Sequence, residues 1–356
     1  MKKLICALVI AFCLCLSLCA FAENAEPELI ITREYPANIM MAQTGDYYSD
    51  PLFGNESYTH EDVTAVTFLD TLADMPSTAW DVSLDRNCSV MAWMDDGHLY
   101  IAGEGGVTAS SCRRMFSGFY NVTSINFNDC FYTDIAQDML QMFQRCYVLP
   151  EIDLSFFRTS NVTNMSGVFI ECTALTALDV SSFDTSNALR LSDMFNGCTT
   201  LTALDLSTFD TANAVLMDDM FYNCHNLSEL NISSFNTANA RDMWSMFTNC
   251  KSLTNLDLSH FDTANVEDMA QMFYGCENLE SVDISSFRTP KCKYFHCMFE
   301  HCAKLTSLDM SGFDFSKAEK ALRIFSGCTN LTDINCTIVL PENCLSDDMY
   351  TGSGLK

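Results

Sequence analysis

The chain has 356 residues, 48% of them hydrophobic, and a formal charge of −27. A surface this acidic repels phosphate backbones, which excludes nucleic acid as a natural partner and leaves basic proteins, cations and uncharged glycans. By length alone two globular domains would fit, but an internal repeat turns most of the sequence into one body.

Lys2 and Lys3 precede an apolar run over residues 4–18, and Ala20-Phe21-Ala22 places small residues at the two positions a signal peptidase reads. We read residues 1–22 as a signal peptide cleaved after Ala22. The alternatives are an uncleaved anchor, for which the run is short, and a lipoprotein acylated at Cys19, for which Leu18 is bulky. Loss of Lys2 and Lys3 takes the charge from −27 to −29. No second apolar span follows, and Thr351-Gly352-Ser353-Gly354-Leu355-Lys356 carries no sorting motif. The expected location is therefore secreted or at a bacterial cell surface.

Residues 23–60 have no sustained period and read as an irregular or mobile leader. Residues 61–111 read as a small cap: Val63, Ala65, Val66 and Phe68 suggest a strand. Residues 90–94, the Asp95-Asp96-Gly97 turn and residues 98–102 suggest a β-hairpin. A cap is needed because an open solenoid end exposes apolar side chains and strand edges.

From residue 112 to 336 the sequence repeats. Cys146, Cys172, Cys198, Cys224, Cys250, Cys276, Cys302 and Cys328 fall 26 residues apart. The unit around them is roughly M-F-x-x-C-x-x-L-T-x-L-D-L-S-x-F-D-T-x-N. Strands are expected to begin at Val122, Leu149, Leu175, Leu201, Leu227, Leu253, Leu279, Leu305 and Leu331; the first step is 27 residues and the later ones 26. In the other half of each unit Val162, Met165, Val168, Phe169 and Cys172 recur at three- and four-residue steps. That spacing predicts a short helix with Asn161, Asn187, Asn213, Asn239 and Asn265 as N-caps. Phe157, Phe183, Phe209, Phe235, Phe261, Phe287 and Phe313 are expected to stack as an inner spine. The core is expected to hold Leu178, Val180, Phe183, Met194, Phe195, Cys198 and their equivalents. One cysteine per unit at one inward position reads as a ladder of reduced thiols. Residues 337–356 fit no unit and read as a tail or a cap of the last coil.

The fold class is thus α/β: a leucine-rich-repeat-like solenoid of about nine coils, parallel strands on one face and short helices on the other, behind a small β-containing N-terminal cap. These units resemble those of BspA-type bacterial leucine-rich-repeat surface proteins, in the 26-residue variety where L-D-L-S-x-F-D-T is followed by N-V-x-x-M-x-x-M-F-x-x-C. Phe183 and its equivalents stand where ordinary leucine-rich repeats carry Asn or Cys. The resemblance implies a secreted or surface protein used in adhesion or recognition, with no catalytic residues to carry over.

Strand alternation points Asp153, Asp179, Asp205, Asp257, Asp283 and Asp309 outward, with Asn231 interrupting the column. These six are the candidate ligand-binding residues, suited to an extracellular protein or glycan ligand and above all to a basic one. Stacked carboxylates repel one another, which invites cations or partial protonation. The segment Cys292-x-x-x-His296-Cys297-x-x-x-His301-Cys302 suggests zinc, but packing already explains Cys292 and Cys302. That leaves Cys297 and His301 as an exposed pair without further ligands. No metal, cofactor or catalytic residue is expected; a metal-dependent or thiol enzyme at Cys297 and His301 is the rival reading, and a structural envelope protein another.

Overall fold

The computed structural model describes Ile39–Met40 and residues 51–355. The signal-peptide reading for residues 1–22 lies outside the described residues, as does most of segment 23–60. Among the described residues no helix is long and apolar enough to cross a membrane.

The N-terminal strands precede the repeats. Strand β1 (Ile39–Met40) is short; β2 (Ala65–Leu69) and β3 (Trp80–Asp81) precede the hairpin of β4 (Met91–Asp95) and β5 (His98–Ala102). Asp95 pairs with His98, so Asp96 and Gly97 alone make the turn, with φ of 46° and 80°. Both residues must be left-handed in such a turn, which is why Asp-Gly is found here. A Cβ on Gly97 would also sit 2.9 Å from Thr64 Oγ1. After β6 (Val107–Ala109) come β7 (Ser124–Asn126) and β8 (Phe131–Tyr132). One sheet runs β3-β4-β5-β2-β7 and another β1-β6-β8, so the cap hands its strand order directly to the first repeat. Phe68, Phe116, Phe127 and Phe131 fill the space beneath, with Phe68 and Phe131 4.7 Å apart between ring centroids.

The expected helices are absent: the one helical element among the described residues is a 3-10 turn at His60–Asp62. In their place each unit runs as a chain of turns whose alternate N–H groups reach the next coil. The N–H groups of Met165, Gly167 and Phe169 donate to the carbonyls of Arg190, Ser192 and Met194 at 2.8–3.0 Å, and Glu171 donates to Asn196. Parallel bridges repeat the step through Asp138, Asn164, Arg190, Leu216, Asp242, Asp268, Tyr294, Lys320 and Leu345. These N–H groups cannot also serve an i→i−4 helix ladder. Two positions per unit are left-handed: Gly167, Asp193, Asp219, Ser245, Gln271, Cys297 and Arg323, then Glu171, Gly197, Asn223, Asn249, Gly275, His301 and Gly327. Gly and Asn dominate the second column because they adopt that region at least cost. The three- and four-residue apolar steps survive because turns of this kind also return a side chain to the interior at that interval.

On the opposite face the strands are short and pair in twos. β9 (Ala203–Asp205) pairs in parallel with β10 (Glu229–Asn231), and β11 (Asn255–Asp257) with β12 (Ser281–Asp283). Ser307 bridges Asp333. The segments from Leu149 and Leu175 form no ladder strand. Hydrogen bonding between coils is therefore concentrated on the turn-rich face, and the strand face is the more open.

Between the faces lies the expected core. Phe157, Phe183, Phe209, Phe235, Phe261 and Phe287 are buried, and Phe313 and Leu178 are partly buried at its edge. A second column, Phe143, Phe169, Phe195, Phe221, Phe247, Phe273, Phe299 and Phe325, stacks nearly parallel at 5.1–6.0 Å. The ladder cysteines are buried as free thiols. Each S–H donates to a phenylalanine carbonyl of the preceding coil, as Cys198 does to Phe169 at 3.2 Å and Cys224 to Phe195 at 3.1 Å. Cysteine thus fills a small slot and supplies a weak donor where alanine could not. The repeat asparagines are not N-caps either; Asn187 Nδ2 donates to Ser160 O, and Asn213 Nδ2 to Ser186 O, in the coil before. At the far end Ala321, Phe325 and Gly327 donate to the carbonyls of Leu345, Met349 and Thr351, and Tyr350 stacks on Phe325. Residues 345–351 thereby cover the last unit.

Candidate functional site

The outward column is in place: Asp153, Asp179, Asp205, Asp257, Asp283 and Asp309 are all exposed on the strand face. Each has a local task. Its Oδ1 accepts the backbone N–H of the serine two residues on, at 2.9–3.0 Å, ending the strand in a side-chain turn. Asn231 makes the same turn to Ser233 and donates its Nδ2 to Asp205 Oδ1 at 2.9 Å.

The hydrogen bonds have an electrostatic consequence. Bonds from Ser155, Ser181, Ser207, Ser259 and Ser311 hold the carboxyls of Asp153, Asp179, Asp205, Asp257 and Asp309 below the usual range. Mutual repulsion, expected to favour partial protonation, is outweighed. These five carboxylates are fixed negative charges within the exposed column.

A second acidic group lies outside the residues expected to bind a ligand. Oxygens of Asp193, Asp218 and Asp219 lie within 4.8 Å of one another on the turn-rich face, half-buried. Asp242 and Asp268 continue the stack along the bridge column. Burial, and then the charges of Asp193, Asp218 and Asp242, push Asp219 up to about 7. Burial likewise raises Asp193 and Asp242, and takes Asp268 to about 6. Ser192 Oγ donates to Asp218 at 2.6 Å and Asn196 Nδ2 to Asp193 at 2.7 Å, relieving part of the repulsion. These are the carboxylates that could hold a cation, and burial together with neighbouring charge lets Asp193 and Asp219 take up protons. The sequence signal was the adjacent pair Asp218-Asp219 stacked one repeat after Asp193.

The Cys297 and His301 pair is not as expected. Cys297 is buried, and it is His301 that is exposed. Between them Glu300 turns inward, with Oε1 3.5 Å from Arg323 and 3.8 Å from His301. Burial, then the hydrogen bond to Glu300 and its charge, push the Cys297 thiol up to about 12. Such a thiol is neither a nucleophile nor a ready metal ligand at neutral pH.

Comparison with known proteins agrees with the repeat. The family described as "Mycoplasma protein of unknown function, DUF285" matches residues 137–255 and 225–337, which together span more than half of the chain. No curated protein matches. Among solved structures the chain is similar to a leucine-rich cell-surface protein of Faecalibacterium prausnitzii A2-165 (16% identity, TM-score 0.33, 84% of this chain and 91% of that one). It is also similar to a leucine-rich-repeat protein of Eubacterium ventriosum ATCC 27560 (14%, 0.28, 75% and 94%). A third similarity is to TLR13 in a complex with ssRNA13 (15%, 0.27), where 72% of this chain spans only 42% of that one. The chain belongs to the DUF285 family, and its 26-residue unit resembles the BspA-type leucine-rich repeat.

Proposed function

We propose that this is an exported bacterial surface or secreted protein, a solenoid of about nine coils without catalysis, that recognises macromolecules through its strand face. The observation that carries the reading is the column of exposed carboxylates on Asp153, Asp179, Asp205, Asp257, Asp283 and Asp309, repeated at one register. Regularly spaced fixed charge attracts an extended partner of opposite sign and raises its rate of encounter. The buried, carboxylate-bound thiol of Cys297 supports the absence of thiol chemistry.

The test is a binding screen of residues 23–356 against matrix proteins and glycans, with poly-lysine as the basic reference. Replacing Asp179, Asp205 and Asp257 by Asn keeps the turn, because Asn231 already makes it. That triple variant is expected to fold normally and to bind poly-lysine about tenfold more weakly. Unchanged binding would move the site off this column, and self-assembly without any ligand would favour a structural envelope role.

A further inference from the structure

One break in the strand face lies between the first two repeats. Ile125 and Ile152 are 27 residues apart whereas Thr133 and Thr159 are 26 apart, so the first repeat carries one extra residue between them. It falls in the loop at Asn128 and Asp129, both left-handed with φ of 50° and 54°. The facing wall begins with Pro150. In later coils Thr176 N–H donates to Pro150 O, Ser228 to Thr202 and Thr332 to Thr306 at 2.9–3.2 Å. Pro150 has no N–H to give to the coil before it. β7 accordingly pairs with β2 alone and is the edge of its sheet. Finally, Ser182, Ser234 and Ser286 donate their hydroxyls back to Leu154, Leu206 and Leu258, whereas Phe156 occupies that position here, edge-on to Phe127 at 5.8 Å.

Together these leave a groove of about 610 Å³ between residues 123–129 and 150–153, closed at one end by Phe156. Its walls carry Asp129, Glu151 and Asp153, all exposed and, among the described residues, none in an ion pair. Ile125 and Ile152 line it as well.

We propose that this groove takes an extended basic segment of a partner protein, which adds to the free edge of β7. Its Lys or Arg side chains would meet Asp129, Glu151 and Asp153 while an aliphatic stem lies along Phe156. Charge complementarity and the open strand edge together select this occupant. The proposal deepens the strand-face reading and rests on it.

The test is calorimetric titration of residues 23–356 with a ten-residue peptide of alternating Lys and Val. The same peptide N-methylated at alternate residues is the control for strand addition. Glu151→Lys, an exposed change whose melting temperature should match the parent, is expected to weaken binding about tenfold or more. N-methylation is expected to weaken it by a similar factor, since a strand edge reads backbone N–H groups. The Asp179, Asp205 and Asp257 triple variant should lose less than about threefold. Equal binding by Glu151→Lys and the parent, or indifference to N-methylation, overturns the groove. If the peptide fails to bind while poly-lysine binds in the screen, the groove alone falls; if neither binds, the strand-face reading falls with it.

Discussion

At the scale of single residues, the repeat cysteines illustrate how a spacing becomes chemistry. Their 26-residue period marks one equivalent position per coil, and that much is legible without coordinates. The partner is not: only the stacked backbone reveals that each thiol donates to the phenylalanine carbonyl of the coil before. Burial raises the thiols of Cys172, Cys198, Cys250 and Cys302 well above their ordinary range, and those of Cys224 and Cys276 to about 12. In residues 23–356 an aromatic disulfide reagent at pH 8 should therefore react rapidly with exposed Cys88, and with the ladder only after unfolding. Quantitative labelling of the native ladder within minutes would contradict this. The repeat asparagines carry the opposite lesson. An Asn before an apolar run is a helix cap in most sequences, and here its side chain serves the neighbouring coil instead.

At the scale of elements, the apolar period of three and four was read as helix when it belongs to a chain of turns. The decisive signal lay in the sequence, in the Gly or Asn that precedes Cys198, Cys224, Cys250, Cys276 and Cys328. A residue that favours the left-handed region at the same position in five of the eight units is hard to reconcile with a helix interior. That geometry crowds Asp193, Asp218, Asp219 and Asp242, and a pH dependence follows. Asp193, Asp219, Asp242 and Asp268 have folded pKa values raised above the unfolded value near 4, so the folded chain binds more protons between about pH 4 and 7. Stability should fall as pH rises through that window. Asp153, Asp179, Asp205, Asp257 and Asp309 act in reverse: their pKa values are lowered, so their contribution is lost only as pH falls below about 4. Melting temperature should therefore peak between about pH 4 and 6. Asp219→Asn should stabilise the chain at pH 7.5 by ~1–2 kcal/mol, discounted for partial exposure, and flatten the rise on acidification. A melting temperature independent of pH between 5 and 7.5 would remove the cluster from the account.

At the scale of the whole molecule, the repeat, the inward phenylalanine column and the outward acids follow from a period and an alternation, and these were legible. The groove beside β7 was not, although its cause, the single 27-residue step, was visible. An inserted residue says nothing of its effect until φ at Asn128 and Asp129 is known, and the part played by Pro150 shows only in its neighbours' hydrogen bonds. Across the chain the charge of −27 sets a field that any partner feels first. The account's central claim is that the strand-face column is what that partner meets, and the salt dependence of binding separates a local column from diffuse net charge. The dissociation constant of residues 23–356 for poly-lysine should be measured between about 50 and 500 mM salt, beside the Asp179, Asp205 and Asp257 to Asn variant. The account predicts a steep loss of affinity with salt in the parent and a weaker, distinctly flatter dependence in the variant. Superimposable curves would contradict it.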